Sequence, residues 1–239
     1  MIRLYIPQPL STGAAVAPTL DQSRYLTQVM RLKAGGDLLV FNGRDGEWRC
    51  TVAEVMKRGC LLKAEERIRD QILPPDVELI LAVVRKSPLE FAVEKATELG
   101  VRRIRLVRTA RTQPQTIRLD RLDTIAVESA EQTGRMDVPE IVASEPLDAL
   151  LDAWDPARRL MFCDETGGPP TLTALPEAGG AAWGILIGPE GGFSPDERER
   201  LLGLPYATAA SLGPRVLRAD TAAVTALALW QATLGDWER

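Results

Sequence analysis

The spacing of apolar residues changes near residue 76, and two kinds of structure are predicted on either side. Before it, apolar residues alternate in short runs. Ile2-Arg3-Leu4-Tyr5-Ile6, Leu38 to Phe41, Glu47 to Val55 and Cys60 to Ala64 read as strands, joined by turns at Gly35-Gly36-Asp37, Asn42 to Gly46 and Lys57-Arg58-Gly59. One short helix is expected from Leu20 to Met30, capped by Asp21, with Leu26, Val29 and Met30 on its apolar side. Gln71 to Asp76, with Pro74-Pro75, reads as a linker, which divides the chain into 1–72 and 73–239.

Beyond the linker, strands alternate with helices. Val77 to Val84 is apolar almost throughout, as in a strand buried on both faces. Pro88 is expected to open a helix with Leu89, Ala92, Val93, Ala96 and Leu99 on one face, stopped by Gly100. A strand follows at Ile104 to Val107. Arg118 to Thr133 then reads as a helix stopped by Gly134. Further strands are expected at Leu160 to Cys163, Trp183 to Ile187 and Ala207 to Leu212. Buried strands alternating with helices imply a parallel, right-handed α/β sheet. The last helix has eight apolar residues among the nine from Ala222 to Trp230. A helix apolar on all sides is buried on all sides, so a homodimer with a C₂ interface through this domain is expected.

The last three strands each run into a glycine-bearing turn: Asp164 to Gly168, Gly188 to Phe193, and Leu212 to Leu217. Turns at the carboxyl ends of neighbouring strands build a ligand crevice. After the second turn, Ser194 is placed to cap a helix, with Pro195 at its first position and Glu197 completing a capping box. Asp220 is placed to cap the last helix.

Composition removes several chemistries. The 239 residues contain no His, which excludes imidazole bases, His metal sites and Ser-His-Asp triads, and no metal is expected. Three Cys without metal-ligand spacing read as reduced thiols, and no apolar stretch is of membrane-spanning length. The start does not read as a signal peptide, so a cytoplasmic protein is expected. There is no G-x-G-x-x-G after the first strand and no Walker A loop. Net charge is −4 but uneven. Residues 1–71 carry 11 Lys and Arg against 8 Asp and Glu, and Arg85 to Arg111 carries eight basic residues against three Glu. The local field is what a phosphate backbone meets.

"LIGPEGGFSPDE" followed by "SLGPRVLRADTA" resembles the signature of the bacterial 16S ribosomal RNA uracil-N3 methyltransferases, of the SPOUT or α/β-knot superfamily. "EKATELGV" at Glu94 to Val101, "EQTGR" at Glu131 to Arg135 and "RLKAGGDLLVFNGRDGEW" extend the resemblance over nearly the whole chain. The family usually has Thr-Glu where this chain has Ala219-Asp220. The resemblance implies a carboxy-terminal trefoil-knotted SPOUT domain and an amino-terminal PUA-like β-barrel that binds RNA. It implies S-adenosylmethionine as cofactor, methylation of a uridine at N3 in the decoding region of 16S ribosomal RNA, the small ribosomal subunit as partner, and a homodimer.

In that superfamily three loops wrap the cofactor, and they correspond here to the three turns above. Ile187, Gly188, Glu190, Gly191, Gly192, Leu212, Gly213, Val216 and Leu217 are the implied cofactor-binding residues. Loss of the imide proton spreads charge onto the flanking carbonyl oxygens, a charge that arginine is suited to hold. Arg215 and Arg218 are the candidates, with Arg218 preferred from its match to the motif, and Glu190 could orient either ligand. Arg24, Arg31, Lys86, Lys95, Arg108, Arg111 and Arg135 are candidates for RNA phosphates. Tyr25 and Trp48 could stack a base, although Trp48 also suits a barrel core. Two alternatives remain at this point: a non-catalytic RNA-binding assembly factor that keeps the fold, and a nucleotide-binding transferase.

Overall fold

The computed structural model describes residues 1–237, and they form two units: 1–73 with 130–138, and 74–129 with the described residues from 139 onward. The first contains a five-stranded sheet. Its strands are β1 (Arg3–Tyr5), β2 (Ala15–Val16), β3 (Asp37–Phe41), β4 (Glu47–Met56) and β5 (Gly59–Arg69), in the order β1-β3-β4-β5-β2. β1 is parallel to β3, and the other pairings are antiparallel. Alternate residues of these strands, among them Leu38, Val40, Cys50, Val52 and Leu62, point into one core. Trp48 belongs to that core and donates from Nε1 to the Asp45 carbonyl, so it has no free face for a base.

The short helix departs from expectation at both ends. Helix α1 (Leu20–Arg24) is capped by Thr19, whose hydroxyl accepts from Gln22 N while the Gln22 side chain accepts from Thr19 N. Asp21 lies in the first turn instead. A single π-helical turn, Tyr25–Val29, then widens the spiral. The change of period leaves only Leu26 buried, and Val29 and Met30 face solvent.

Segment 130–138, the end of helix α3 (Leu119–Thr133) and the residues after it, packs with this unit. Arg3 holds it. Its Nη1 donates to the carbonyls of Ala130 and Glu131, its Nη2 to that of Arg135, and its Nε to Glu47 at 2.7 Å. Glu47 is 2% exposed and also meets Arg69 at 3.3 Å. Removing Arg3 leaves buried Glu47 with only its longer contact to Arg69 and takes a charged donor from three carbonyls, a loss on the scale of ~1.5–3 kcal/mol for a hydrogen bond to a charged group. Arg3→Ala should therefore lower the unfolding free energy by about that amount. Urea denaturation measures it, and a loss within the ~0.5 kcal/mol of a neutral surface change would contradict this role.

The second unit is a six-stranded, wholly parallel sheet. In sequence its strands are β6 (Val77–Ala82), β7 (Arg103–Arg108), β8 (Glu140–Pro146), β9 (Arg159–Cys163), β10 (Trp183–Ile187) and β11 (Ala207–Ala210). Their spatial order is β11-β9-β10-β6-β7-β8. The chain builds outward through β6, β7 and β8, then returns to the far side of β6, so the order reverses between β6 and β10. At such a reversal the loops beyond the carboxyl ends diverge and leave a crevice. β6 and β10 are buried at every position. Glu78, near the start of β6, is the exception in chemistry: 4% exposed, it sits among Arg103, Arg105 and Arg158 at 3.3–3.7 Å.

The helices are α2 (Lys86–Glu98), α3, α4 (Leu147–Asp152), α5 (Thr171–Ala178), α6 (Pro195–Gly203) and α7 (Ala219–Leu234). α2 opens two residues before Pro88, which occupies its third position. α7 packs against α2, α5 and β10, and its Gln231 donates from Nε2 to the Leu99 carbonyl at 2.6 Å. Val224, Thr225, Ala228 and Leu229 remain half-buried. α7 starts after Arg218, which occupies the cap position. Asp220 is not the cap: it is the second helical residue, and its Oδ1 accepts from Thr221 N. Among the described residues, no helix is long and apolar enough to cross a membrane.

Candidate active site

The carboxyl ends of β9, β10 and β11 surround a cavity of about 640 Å³. That volume suits one drug-sized ligand. The turn after β10 is held in shape by the helix it opens. Ser194 caps α6, Pro195 is its first residue, and Ser194 and Glu197 form the expected capping box. Glu197 does more than cap. Its Oε2 accepts from Ser194 N at 2.8 Å and its Oε1 from Ala110 N at 2.7 Å, which fastens the loop after β7 to the glycine turn. Arg111 of the same loop donates from Nη1 to the Gly191 carbonyl at 2.7 Å.

The glycines leave room for a ligand in distinct ways. A Cβ on Gly188 would lie 3.2 Å from the Phe193 ring, which stands edge-on to Phe162. Gly192 has φ of +68°, and a Cβ there would come within 2.5 Å of Glu165 Oε1. Gly213, with φ of +110°, is in a backbone region that L residues rarely adopt. A Cβ on Gly191 would meet only Arg111, at an ordinary 3.6 Å.

Of the nine expected cofactor residues, Ile187, Gly188, Gly192, Leu212, Gly213, Val216 and Leu217 line the cavity. Glu190 and Gly191 do not: both are exposed on the turn, outside the lining. Arg215 lines the cavity, whereas Arg218 is exposed beside it at the cap of α7. Among the described residues neither arginine pairs with Asp220, so the two guanidinium groups are uncommitted.

The structure also brings in residues that the motifs did not single out. Asp164, at the end of β9, is buried, and its Oδ1 accepts from the amide and hydroxyl of Thr166. Its Oδ2 accepts from Arg198 Nε at 2.8 Å. Arg198 and Glu199 on α6 line the cavity, as do Glu165 and Arg111, the last of them expected as a phosphate contact. The turn from Asp164 to Gly168 was a visible signal. Arg198 had a weaker one, its place one helical turn after Ser194. Cys163 also lines the cavity, but burial pushes its thiol up to about 12, so it stays protonated and is no nucleophile.

The expected phosphate contacts fare unequally. Arg24 and Lys86 are exposed with only loose partners, Asp21 at 3.4 Å and Glu90 at 3.9 Å. Arg31 is exposed and has φ of +56°, the one such non-glycine among the described residues. Arg108 is exposed and donates to Ser144. Lys95 is held between Glu94 and Glu98, which raise its pKa by hydrogen bonding. Arg135 is 8% exposed and locked to Asp137 at 2.8 Å, so it cannot serve as a surface phosphate contact.

The arrangement combines an apolar wall, a backbone opened by glycine, and three guanidinium groups, from Arg111, Arg198 and Arg215. It can hold a partly apolar, charged ligand and stabilise negative charge beside it.

The RNA methyltransferase domain family matches residues 71–231, and the RNA methyltransferase PUA domain family matches residues 18–65. The chain is 30% identical to ribosomal RNA small subunit methyltransferase E of Synechocystis, over 97% of this chain and 78% of that one. It is 29% identical to the protein of that name from Rickettsia conorii, over 95% and 93%. A crystal structure of ribosomal RNA small subunit methyltransferase E from Neisseria gonorrhoeae, bound to S-adenosylmethionine, superposes with a TM-score of 0.90 at 25% identity, covering 99% of each chain. A Legionella pneumophila methyltransferase in complex with the same cofactor gives 0.88 at 27%, covering 98% of each.

Proposed function

The chain belongs to the RNA methyltransferase family that includes ribosomal RNA small subunit methyltransferase E, and on that premise we propose that it methylates N3 of a uridine in 16S ribosomal RNA. The carrying observation is the cavity formed by three glycine-bearing turns at the carboxyl ends of β9, β10 and β11. Its residues fit S-adenosylmethionine. Gly188 and Gly192 lack a Cβ where one would crowd Phe193 and Glu165, Gly213 holds a positive φ, and Ile187, Leu212 and Leu217 supply apolar walls. The cofactor, when bound there, supplies an electrophilic methyl group.

The chain's own residues do the rest. The cavity excludes water from one side of the reacting base. Arg215, on its wall, donates to the uracil carbonyl oxygens as N3 loses its proton and charge develops on them. No imidazole can accept that proton, and the buried carboxylate, Asp164, is already engaged by Arg198 and Thr166. In this reading the proton leaves to water while Arg215 holds the resulting anion.

Purified protein should convert one uridine of 16S ribosomal RNA, presented in small subunits, to N3-methyluridine. Cells lacking the protein should lose that nucleoside by mass spectrometry. Retention of the modified nucleoside in the deletion strain would defeat this reading.

RNA phosphates are met, in this reading, by the exposed cations of both units, in the cytoplasm where ribosomes assemble. Replacing Arg24 and Lys86 together with alanine should weaken RNA binding and flatten its salt dependence by roughly 0.7–0.9 per lost contact, with cofactor affinity unchanged. An unaltered salt slope would remove these two from the interface. The trefoil knot and a homodimer are part of the same reading. The half-buried apolar face of α7 supports the dimer. Light scattering should give twice the 26.1 kDa chain mass at micromolar concentration, and a monomer would refute it.

A further inference from the structure

We propose that Arg198, aimed by Asp164, anchors the carboxylate of the cofactor's amino-acid end, and so makes binding depend on that end; this rests on the S-adenosylmethionine reading above. The pair joins two elements distant in sequence, the end of β9 and the second turn of α6. Asp164 is 4% exposed, and three donors fix it: Arg198 Nε at 2.8 Å, Thr166 N at 2.9 Å and Thr166 Oγ1 at 2.7 Å. Because Asp164 takes only Nε, the two Nη groups of Arg198 have no hydrogen-bond partner among the described residues, on a side chain that lines the cavity. A guanidinium held by Nε presents its Nη edge as a rigid fork, the shape that grips two oxygens of one carboxylate or phosphate.

Depth chooses between those anions. Arg111 and Arg215 also line the cavity, but both are exposed residues. Arg198 is 36% exposed and held against a buried carboxylate, so it lies deeper than either. The rest of the lining matches an amino-acid head. Glu165 and Glu199 offer carboxylates to the α-ammonium, while the apolar wall of Ile187, Leu212 and Leu217 suits the adenosyl part. A phosphate has no use for that acidic company.

Calorimetry on the intact protein tests this with two probes. S-adenosylhomocysteine carries the amino-acid end, and 5′-methylthioadenosine lacks it. The wild type should prefer the first. Arg198→Gln should weaken S-adenosylhomocysteine by about 10- to 100-fold, the usual worth of a hydrogen bond to a charged group, and leave 5′-methylthioadenosine unchanged. The second probe thus doubles as evidence that the site is still folded. Asp164→Asn, which keeps an acceptor for Nε, should fall between the two proteins, and Arg198→Lys should restore only part of the preference because it lacks the fork.

An Arg198→Gln protein that keeps the wild-type preference overturns the proposal. If it keeps that preference but binds RNA with a flatter salt dependence, Arg198 holds a phosphate and the proposal is also overturned. A wild type that binds neither probe instead overturns the cofactor reading on which the proposal rests.

Discussion

Arg215→Ala should slow methyl transfer by about 10²–10³, the usual cost of losing one preorganised donor to developing charge, with cofactor affinity little changed. The motif favours Arg218 for this role; we place Arg215 first because of where the two side chains lie. Arg215 lies on the cavity wall, while Arg218 occupies the exposed cap position of α7, outside the lining. Arg218→Ala is expected to cost only a few-fold. Asp220→Asn should retain most activity. It loses a favourable first-turn charge worth about 0.3–1 kcal/mol and no cap, because Asp220 is not the cap. Single-turnover rates on saturated enzyme compare the three. A dead Asp220→Asn beside a near-normal Arg215→Ala would make the carboxylate the base and remove Arg215 from the chemistry.

Gly188→Val should lower S-adenosylmethionine affinity by about 10- to 100-fold, since overpacking a fitted site typically costs ~1–3 kcal/mol. Its Cβ would begin 3.2 Å from the Phe193 ring, at a residue that lines the cavity. The control is Gly191→Val. Gly191 lies outside the lining, and its Cβ would make an ordinary contact with Arg111. That variant should bind nearly as the wild type does. Calorimetry on both, with melting temperatures to confirm folding, separates a steric block from general damage. Equal affinities for the two variants would remove the turn after β10 from the cofactor site.

Local chemistry was legible where neighbours in sequence are also neighbours in space. The turn after β10 and its capping box read correctly because Ser194, Pro195 and Glu197 act within one helical turn. The buried strands β6 and β10 announced themselves by unbroken apolar runs. β8 did not, because none of its seven residues is fully buried, and α5 was hidden by Pro176 within it. Caps were the weakest readings. Thr19 outcompeted Asp21 because its hydroxyl and Gln22 satisfy two amides together, and α7 starts without any side-chain cap. Glu190, expected to orient a ligand, is exposed on the turn and outside the cavity lining. Asp164 and Arg198 are 34 residues apart, and no periodicity links them. The second bond of Glu197, to Ala110, spans 87 residues and was invisible for the same reason.

The amino-terminal unit is discontinuous in the chain, and this bears on the order of events during synthesis. Arg3 finds its carbonyl partners only in residues 130, 131 and 135, and the Tyr5 amide donates to Glu131. When residue 73 leaves the ribosome, the sheet can pair, but the segment that carries those partners is complete only 65 residues later, at 138. At roughly 5–20 residues per second, that is roughly 3–13 s of translation. For that interval the nascent sheet lacks the bonds that fasten Arg3, so a chaperone or a pause acting between residues 73 and 138 meets a module still open on that side. Expressed alone, residues 1–73 would remain in that state permanently.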